Sequence, residues 1–202
     1  MRYKMKILLT VFGGFALIAF ILGAIFVGQF NSLRTLENGV QMSWANVENQ
    51  YQRRYDLIPN IVESVKGEAN FEKSTLAEVI DARSRMGGVM KMDEKMLGDE
   101  RAMKRFQEAQ NSLGGALQRL MMVTENYPNL KANAAFRDLR VELEGCENRI
   151  AEARRQFNVS VNNLNNKVRT FPGVFVAGFA GVTPKVPFSA VAGSDVAPTV
   201  KF

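Results

Sequence analysis

Histidine is absent from the chain, and cysteine occurs once, as Cys146. Without an imidazole the chain cannot build a protease triad with a histidine base, nor a zinc site with histidine ligands. One thiol excludes an intramolecular disulfide and carries no information about redox compartment. Cys146 falls at three- and four-residue steps among apolar positions, which predicts a small core residue. The carboxylates show no spacing that resembles a metal loop. No catalytic residue, cofactor site or metal site is assigned from these residues.

Charge is missing from one long stretch. From Ile7 to Gly28 the chain reads "ILLTVFGGFALIAFILGAIFVG", 22 residues without a charged side chain. As a helix this run is about 33 Å long, the thickness of a hydrocarbon core. A backbone in lipid must bond to itself, so the run reads as a spanning helix or as a signal peptide. It exceeds the length of a signal-peptide core, and "AIFVGQF" offers no good small-x-small cleavage site. No cysteine closely follows it, which excludes lipoprotein processing. The reading is an uncleaved anchor at 7–28 behind a basic flank at 1–6. Arg2, Lys4 and Lys6 precede the run, while Arg34 and Glu37 beyond it cancel. The positive-inside rule then puts the N-terminus in the cytoplasm and residues 30–202 outside. Gly13, Gly14, Ala16 and Ala19 leave room for close helix–helix contact in the membrane, although glycine is common in such helices.

The net charge is +6. Half of it sits on the three basic residues before the anchor, so no basic patch on a folded domain invites nucleic acid, and none is expected as a partner.

What is abundant is helical periodicity. Leu33, Leu36, Val40, Trp44, Val47, Tyr51, Tyr55, Ile58, Ile61 and Val65 form one stripe at three- and four-residue steps. It begins so soon after the anchor that the two should form one rod. Gly67 is a plausible stop and Asn70 a cap for the next helix. That helix carries Leu76, Val79, Ile80 and Met86, with Thr75 and Glu78 available as a capping box, and ends at Gly87-Gly88. Asp93 can cap a third, with Met96, Met103, Phe106, Leu113, Leu117 and Leu120, in which Gly114-Gly115 suggests a tight crossing. A fourth, from Pro128 to Phe171, would be about 65 Å long. Its stripe is Phe136, Leu139, Leu143, Cys146, Ile150, Ala153, Phe157, Val161, Leu164 and Val168. The predicted class is all-α, a bundle of long antiparallel helices over residues 29–171.

Two phrases repeat a pattern, "YDLIPNI" and "YPNLKAN". Pro128 opens a fresh periodic segment and reads as a first-turn proline. Pro59 interrupts continuous periodicity and should kink the rod or split it at Asp56–Ile58. Residues 172–202 hold four of the six prolines. "GVFVAGFAGVTPKVPFSAV" is too apolar for a solvated linker, so an extended apolar tail should pack along the bundle or join a partner chain.

"WANVENQYQRRYDLIPNIVESVKGEANFEKSTLAEVIDARS", "YPNLKANAAFRDLRVELEGCENRIAEARRQFN" and "FPGVFVAG" resemble, in order, the signature blocks of the bacterial LemA family. The resemblance runs from about Phe30 to Phe188 and includes the single N-terminal anchor. It implies a membrane-anchored bundle of long antiparallel helices with no established enzymatic activity. The family's recurring residues fall here on Trp44, Arg53, Arg54, Asp56, Pro59, Asn60, Tyr127, Pro128, Glu147, Asn148, Arg149, Asn158 and Asn165. Leu57, Leu130, Asn133, Arg154 and Pro172 also match. Phe157 and Leu164 stand where the family often has tyrosine, which removes a hydroxyl and keeps the packing.

These residues suggest structural and interaction roles. Arg53, Arg54 and Asp56 on the first rod can meet Glu147, Asn148 and Arg149 on the fourth helix as one buried polar network, the alternative being a solvated charged face. Asn158, Asn162, Asn163, Asn165 and Asn166 crowd the end of the long helix, either as a polar seam that fixes register and oligomer state or as a fraying end. Trp44 reads as core. The expected function is a non-enzymatic scaffold in the bacterial inner membrane, homo-oligomeric, organising membrane or envelope partners. The alternative is a periplasmic sensor or adaptor for a membrane protease or signalling partner, with a ligand groove near Pro59. A carboxylate-dependent hydrolase is a distant third.

Overall fold

The computed structural model describes residues 2–68, 71–87 and 94–189, and among them every regular element is helical. In order these are α1 (Arg2–Lys66), α2 (Lys73–Gly87), a 3-10 turn (Glu94–Gly98), α3 (Glu100–Thr124), α4 (Pro128–Ala132), α5 (Ala134–Arg169) and α6 (Gly173–Ala180). Asn70, Asp93 and residues 190–202 lie outside the described residues, and with them the caps expected at the first two.

The 65 residues of α1 form one rod about 98 Å long. Its two parts differ in environment rather than in backbone. Leu33, Val40, Trp44, Val47, Tyr51, Ile58, Ile61 and Val65 are buried, as the stripe predicts. Phe12, Phe15, Phe20, Leu22 and Val27, on the apolar run, are all exposed. The most apolar window of the helix has a mean hydropathy of 2.5 and none of it is covered by the rest of the chain. Among the described residues this is the one helix long and apolar enough to cross a membrane.

Pro59 does not split the rod. It lies on the exposed face, while Leu57, Ile58, Ile61 and Val62 around it are buried. Packing on both sides carries the helix across the one hydrogen bond that proline removes. Asp56 caps nothing there. Its carboxylate accepts from Gln52 Nε2 at 2.7 Å on the same exposed surface.

α5 packs antiparallel along the upper part of α1, and α2 packs on α3. Three of the sequence boundaries shift. The fourth helix does not run unbroken from Pro128, because Asn133 adopts an extended conformation and divides α4 from α5. Its side chain accepts from Phe136 N at 3.3 Å, so a cap sits inside the span that reads as one helix. Thr75 is buried in the first turn of α2 rather than preceding it, and forms no capping box. Asp99 caps α3, its Oδ1 accepting from Arg101 N at 2.8 Å and Ala102 N at 3.2 Å. Pro128 is a first-turn proline, as expected. Glu125 binds Lys131 at 2.7 Å and Arg140 at 2.5 Å across this corner, and those two cations hold its carboxyl below the usual range.

The tail begins as a helix rather than as an extended segment, and it packs on its own bundle. α6 lies against α1 and α5 at the end of the bundle nearest the apolar run. Gly181, at φ +67°, ends it in the left-handed region. Residues 182–189 then return along the bundle as a strap without regular structure. Gly173 is required by a close approach, since a Cβ there would stand 2.1 Å from the Lys167 carbonyl oxygen. Gly173→Ala should therefore lower stability by about 2–3 kcal/mol, read as a lower urea midpoint of the detergent-solubilised chain.

Candidate functional site

One polar centre and one backbone clamp are built into this frame. The centre is Arg54, 3% exposed and pointing from α1 between α3 and α5. Its Nη1 donates to Glu147 Oε1 at 3.0 Å and Oε2 at 3.3 Å. Its Nη2 donates to the Gln110 backbone carbonyl at 3.1 Å and to the Gln110 side-chain oxygen. The guanidinium also lies over the Tyr51 ring, 5.1 Å from its centroid. Gly114 lies beside it, where a Cβ would stand 3.4 Å from Arg54 Nη1, in contact with the guanidinium. Burial pushes the Tyr51 phenol up in pKa, with Arg154 and Arg54 opposing. Burial likewise pushes the Cys146 thiol up, the property of an inert core cysteine.

The expected network is thus smaller than its six residues. Arg53 pairs instead with Glu142 at 3.0 Å on the surface. Asn148 and Arg149 are exposed, and Asn148 lines a cleft of about 440 Å³ with Leu117, Leu143 and Glu147. Gln110, which the sequence reading passed over, is the third member of the buried centre. A glutamine on an otherwise apolar face was the available signal.

The clamp uses Asn158 and Asn165, seven residues apart on α5. Asn158 Nδ2 donates to Phe188 O at 3.0 Å, and its Oδ1 accepts from Phe188 N at 2.8 Å. Asn165 does the same with Lys185, both bonds at 2.8 Å. Each amide replaces the neighbouring strand that the strap lacks. The two asparagines therefore engage this chain's own tail. The clamp carries Phe188 into the core, where its ring stacks on Trp44 with centroids 6.0 Å apart and meets Phe157 edge-on at 5.5 Å. Trp44 also meets Phe106 at 5.3 Å, so it is core, as expected, and joins α1, α3, α5 and the strap.

The remaining candidates lie toward the far end. Tyr127 caps α4 and packs its ring on Phe71 at 4.9 Å. Asn60 is exposed, its carbonyl accepting from Ser64 Oγ at 2.8 Å. A cleft of about 550 Å³ lies beside Pro59, between α1 and α2. Arg83 there covers the Tyr55 ring at 4.3 Å. Among the described residues no group of three or more acidic, cysteine or histidine side chains could hold a metal ion.

A bare apolar helix that continues into a helical bundle, with a self-clamped tail at the junction, defines a class of membrane-associated helical protein. A family model for the LemA family matches residues 43–202, and the chain belongs to that family. It is 29% identical over 168 residues to Magnetosome protein MamQ of Magnetospirillum gryphiswaldense, covering 76% of this chain and 62% of that protein. It is 28% identical to Magnetosome protein MamQ 2 of Paramagnetospirillum magneticum, covering 86% of this chain and 68% of the relative. With Protein LemA of Metamycoplasma hominis the identity is 26%, covering 73% and 63% respectively. The chain thus spans somewhat under two thirds of the length of the first of these relatives.

Proposed function

We propose that the chain is a non-enzymatic scaffold held in the bacterial inner membrane by residues 7–28. In this reading the N-terminus is cytoplasmic, the bundle of 29–171 stands outside, and copies self-associate to organise membrane or envelope partners. The observation that carries it is the continuity of α1. A helix continuous from bilayer to bundle sets the height of the bundle above the bilayer, as a scaffold needs and a tethered enzyme does not. The family and its magnetosome relatives support membrane association. The test is the mass of the full-length protein extracted gently with its native lipids. A discrete assembly of several copies is expected, and a monomer would overturn self-association. A second reading, an adaptor for a membrane protease or signalling partner, is favoured by the cleft beside Pro59. A monomer that co-purifies with one stoichiometric membrane partner would select it.

A further inference from the structure

α6 is built inside out for a helix packed in water. Its buried face is Gly173, Val176, Ala177 and Ala180, mostly small residues. Its outward face carries the bulk: Val174 is 46% exposed, Phe175 67% and Phe179 82%, with Phe171 just before the helix at 81%. A surface helix in water turns its large apolar residues to the core and its polar ones outward. Here no polar face exists, for the 15 residues from Thr170 to Pro184 include no charge. A cluster of four large apolar side chains on one surface calls for a partner.

The fold places that surface at a definite level along α1. Phe179 meets Phe26, at the end of the apolar run, edge-on with centroids 6.0 Å apart. The Ala180 carbonyl accepts from Arg34 Nη2 at 2.8 Å, and Arg34 is the first charge after the run. α6 therefore lies beside the last turns of the uncharged segment and stops where charge returns. Ile25 and Val27, on either side of Phe26, are exposed as well. On the side toward the bundle, Lys167 and Arg169 close α5 and Lys185 follows the uncharged stretch, so cations stand where phosphate headgroups would lie.

We infer that α6 is a second membrane contact, an interfacial helix whose Phe171, Phe175 and Phe179 enter the outer edge of the same leaflet that α1 leaves. The inference rests on the anchor reading and adds a role that the anchor alone does not imply. One spanning helix leaves a rod free to tilt and spin, whereas a second contact off the α1 axis fixes both. The small buried face follows from the same geometry, because α6 must lie close to α1 and α5 to stay at the bilayer surface.

The test uses the full chain reconstituted in phosphatidylcholine–phosphatidylglycerol vesicles, spin-labelled at single introduced cysteines. The sites are Phe171→Cys and Phe175→Cys on the proposed contact, Phe15→Cys in the anchor, and Val141→Cys as an aqueous reference about 42 Å of helix above Arg169. Cys146 is fully buried, and the unsubstituted chain is the labelling blank. Collision with oxygen, which partitions into lipid, is compared with collision with a water-soluble nickel chelate. Positions 171 and 175 should resemble position 15, with nickel accessibility several-fold below that at 141. If position 15 reports lipid while 171 and 175 match 141, the anchor stands and the interfacial helix is refuted. Labels at 171 and 175 shielded from both reagents would show that protein, such as a second copy, covers the face, and would also refute it. Nickel access at position 15 would overturn the anchor itself and this inference with it.

Discussion

Phe188→Ala will lower the stability of the bundle by about 3–5 kcal/mol, the cost of deleting a buried phenylalanine. Phe188 is 5% exposed and sits among Trp44, Phe106 and Phe157, with the Arg154 guanidinium 4.7 Å from its ring centroid. Its loss also threatens the strap that delivers it. Holding eight residues, 182–189, in one conformation costs on the order of 8–16 kcal/mol. Against this stand burial of Val182 and Phe188, the Asn158 and Asn165 bonds, Val186 N to Leu97 O at 2.8 Å, and the Ser189 bonds to Gln107. Each such bond adds about 1 kcal/mol net, so the strap has little margin without its aromatic anchor. The sole tryptophan, Trp44, reports the event directly. Its emission should shift to the red before the cooperative urea transition, and amides of 182–189 should exchange faster while those of α5 stay protected. An unchanged midpoint and unchanged emission would mean that the strap contributes nothing to the core.

The long helices were legible in the sequence because burying one face of a helix imposes a period of 3.6, and that period survives many local variations. Every member of the α1 stripe from Leu33 to Val65 is buried except Leu36 and Tyr55, which are half-buried. The break at Asn133 was hidden because it falls between the first-turn Pro128 and Phe136, where the apolar stripe of α5 begins, so no interruption of the periodicity marks it. At Pro59 the split does not occur, and the reason lies in tertiary packing. Local chemistry argues for a break, and burial of Ile58 and Ile61 outweighs it. The asparagines stood out as misplaced in a helix, but a seven-residue spacing says only that two amides share a face. It cannot say that the groups facing them are backbone atoms of residues 20 and 30 positions onward. The tail was legible as apolar, not as a helix: glycine and β-branched residues weaken the local signal, and contact with α1 and α5 supplies what propensity does not.

The Arg54 centre should respond asymmetrically to loss of its two partners. Arg54 is 3% exposed, whereas the Glu147 side chain is 43% exposed. Glu147→Ala removes the half-solvated member and leaves a guanidinium whose Nη1 has lost its carboxylate and whose Nε, among the described residues, has no partner. An uncompensated buried charge costs about 3–5 kcal/mol, and water entering by the adjoining cleft brings this toward the lower end. Arg54→Met keeps much of the volume and leaves only a carboxylate that water already reaches. The Gln110 carbonyl loses one donor, and Gln110 Oε1 loses its guanidinium partner, at about 1–2 kcal/mol together. Thus Glu147→Ala should be worse than Arg54→Met by about 1–2 kcal/mol, and Arg54→Met combined with Glu147→Ala should recover about that same amount, roughly half of the defect. Urea midpoints of the four chains, followed at Trp44, measure the cycle. If the order reverses, Arg54 acts chiefly by its packing and its bonds to Gln110, and Glu147 is a surface charge that happens to reach it. If the two changes are simply additive, the pair has no coupling, and burial of Arg54 is offset by Gln110 and Tyr51 alone.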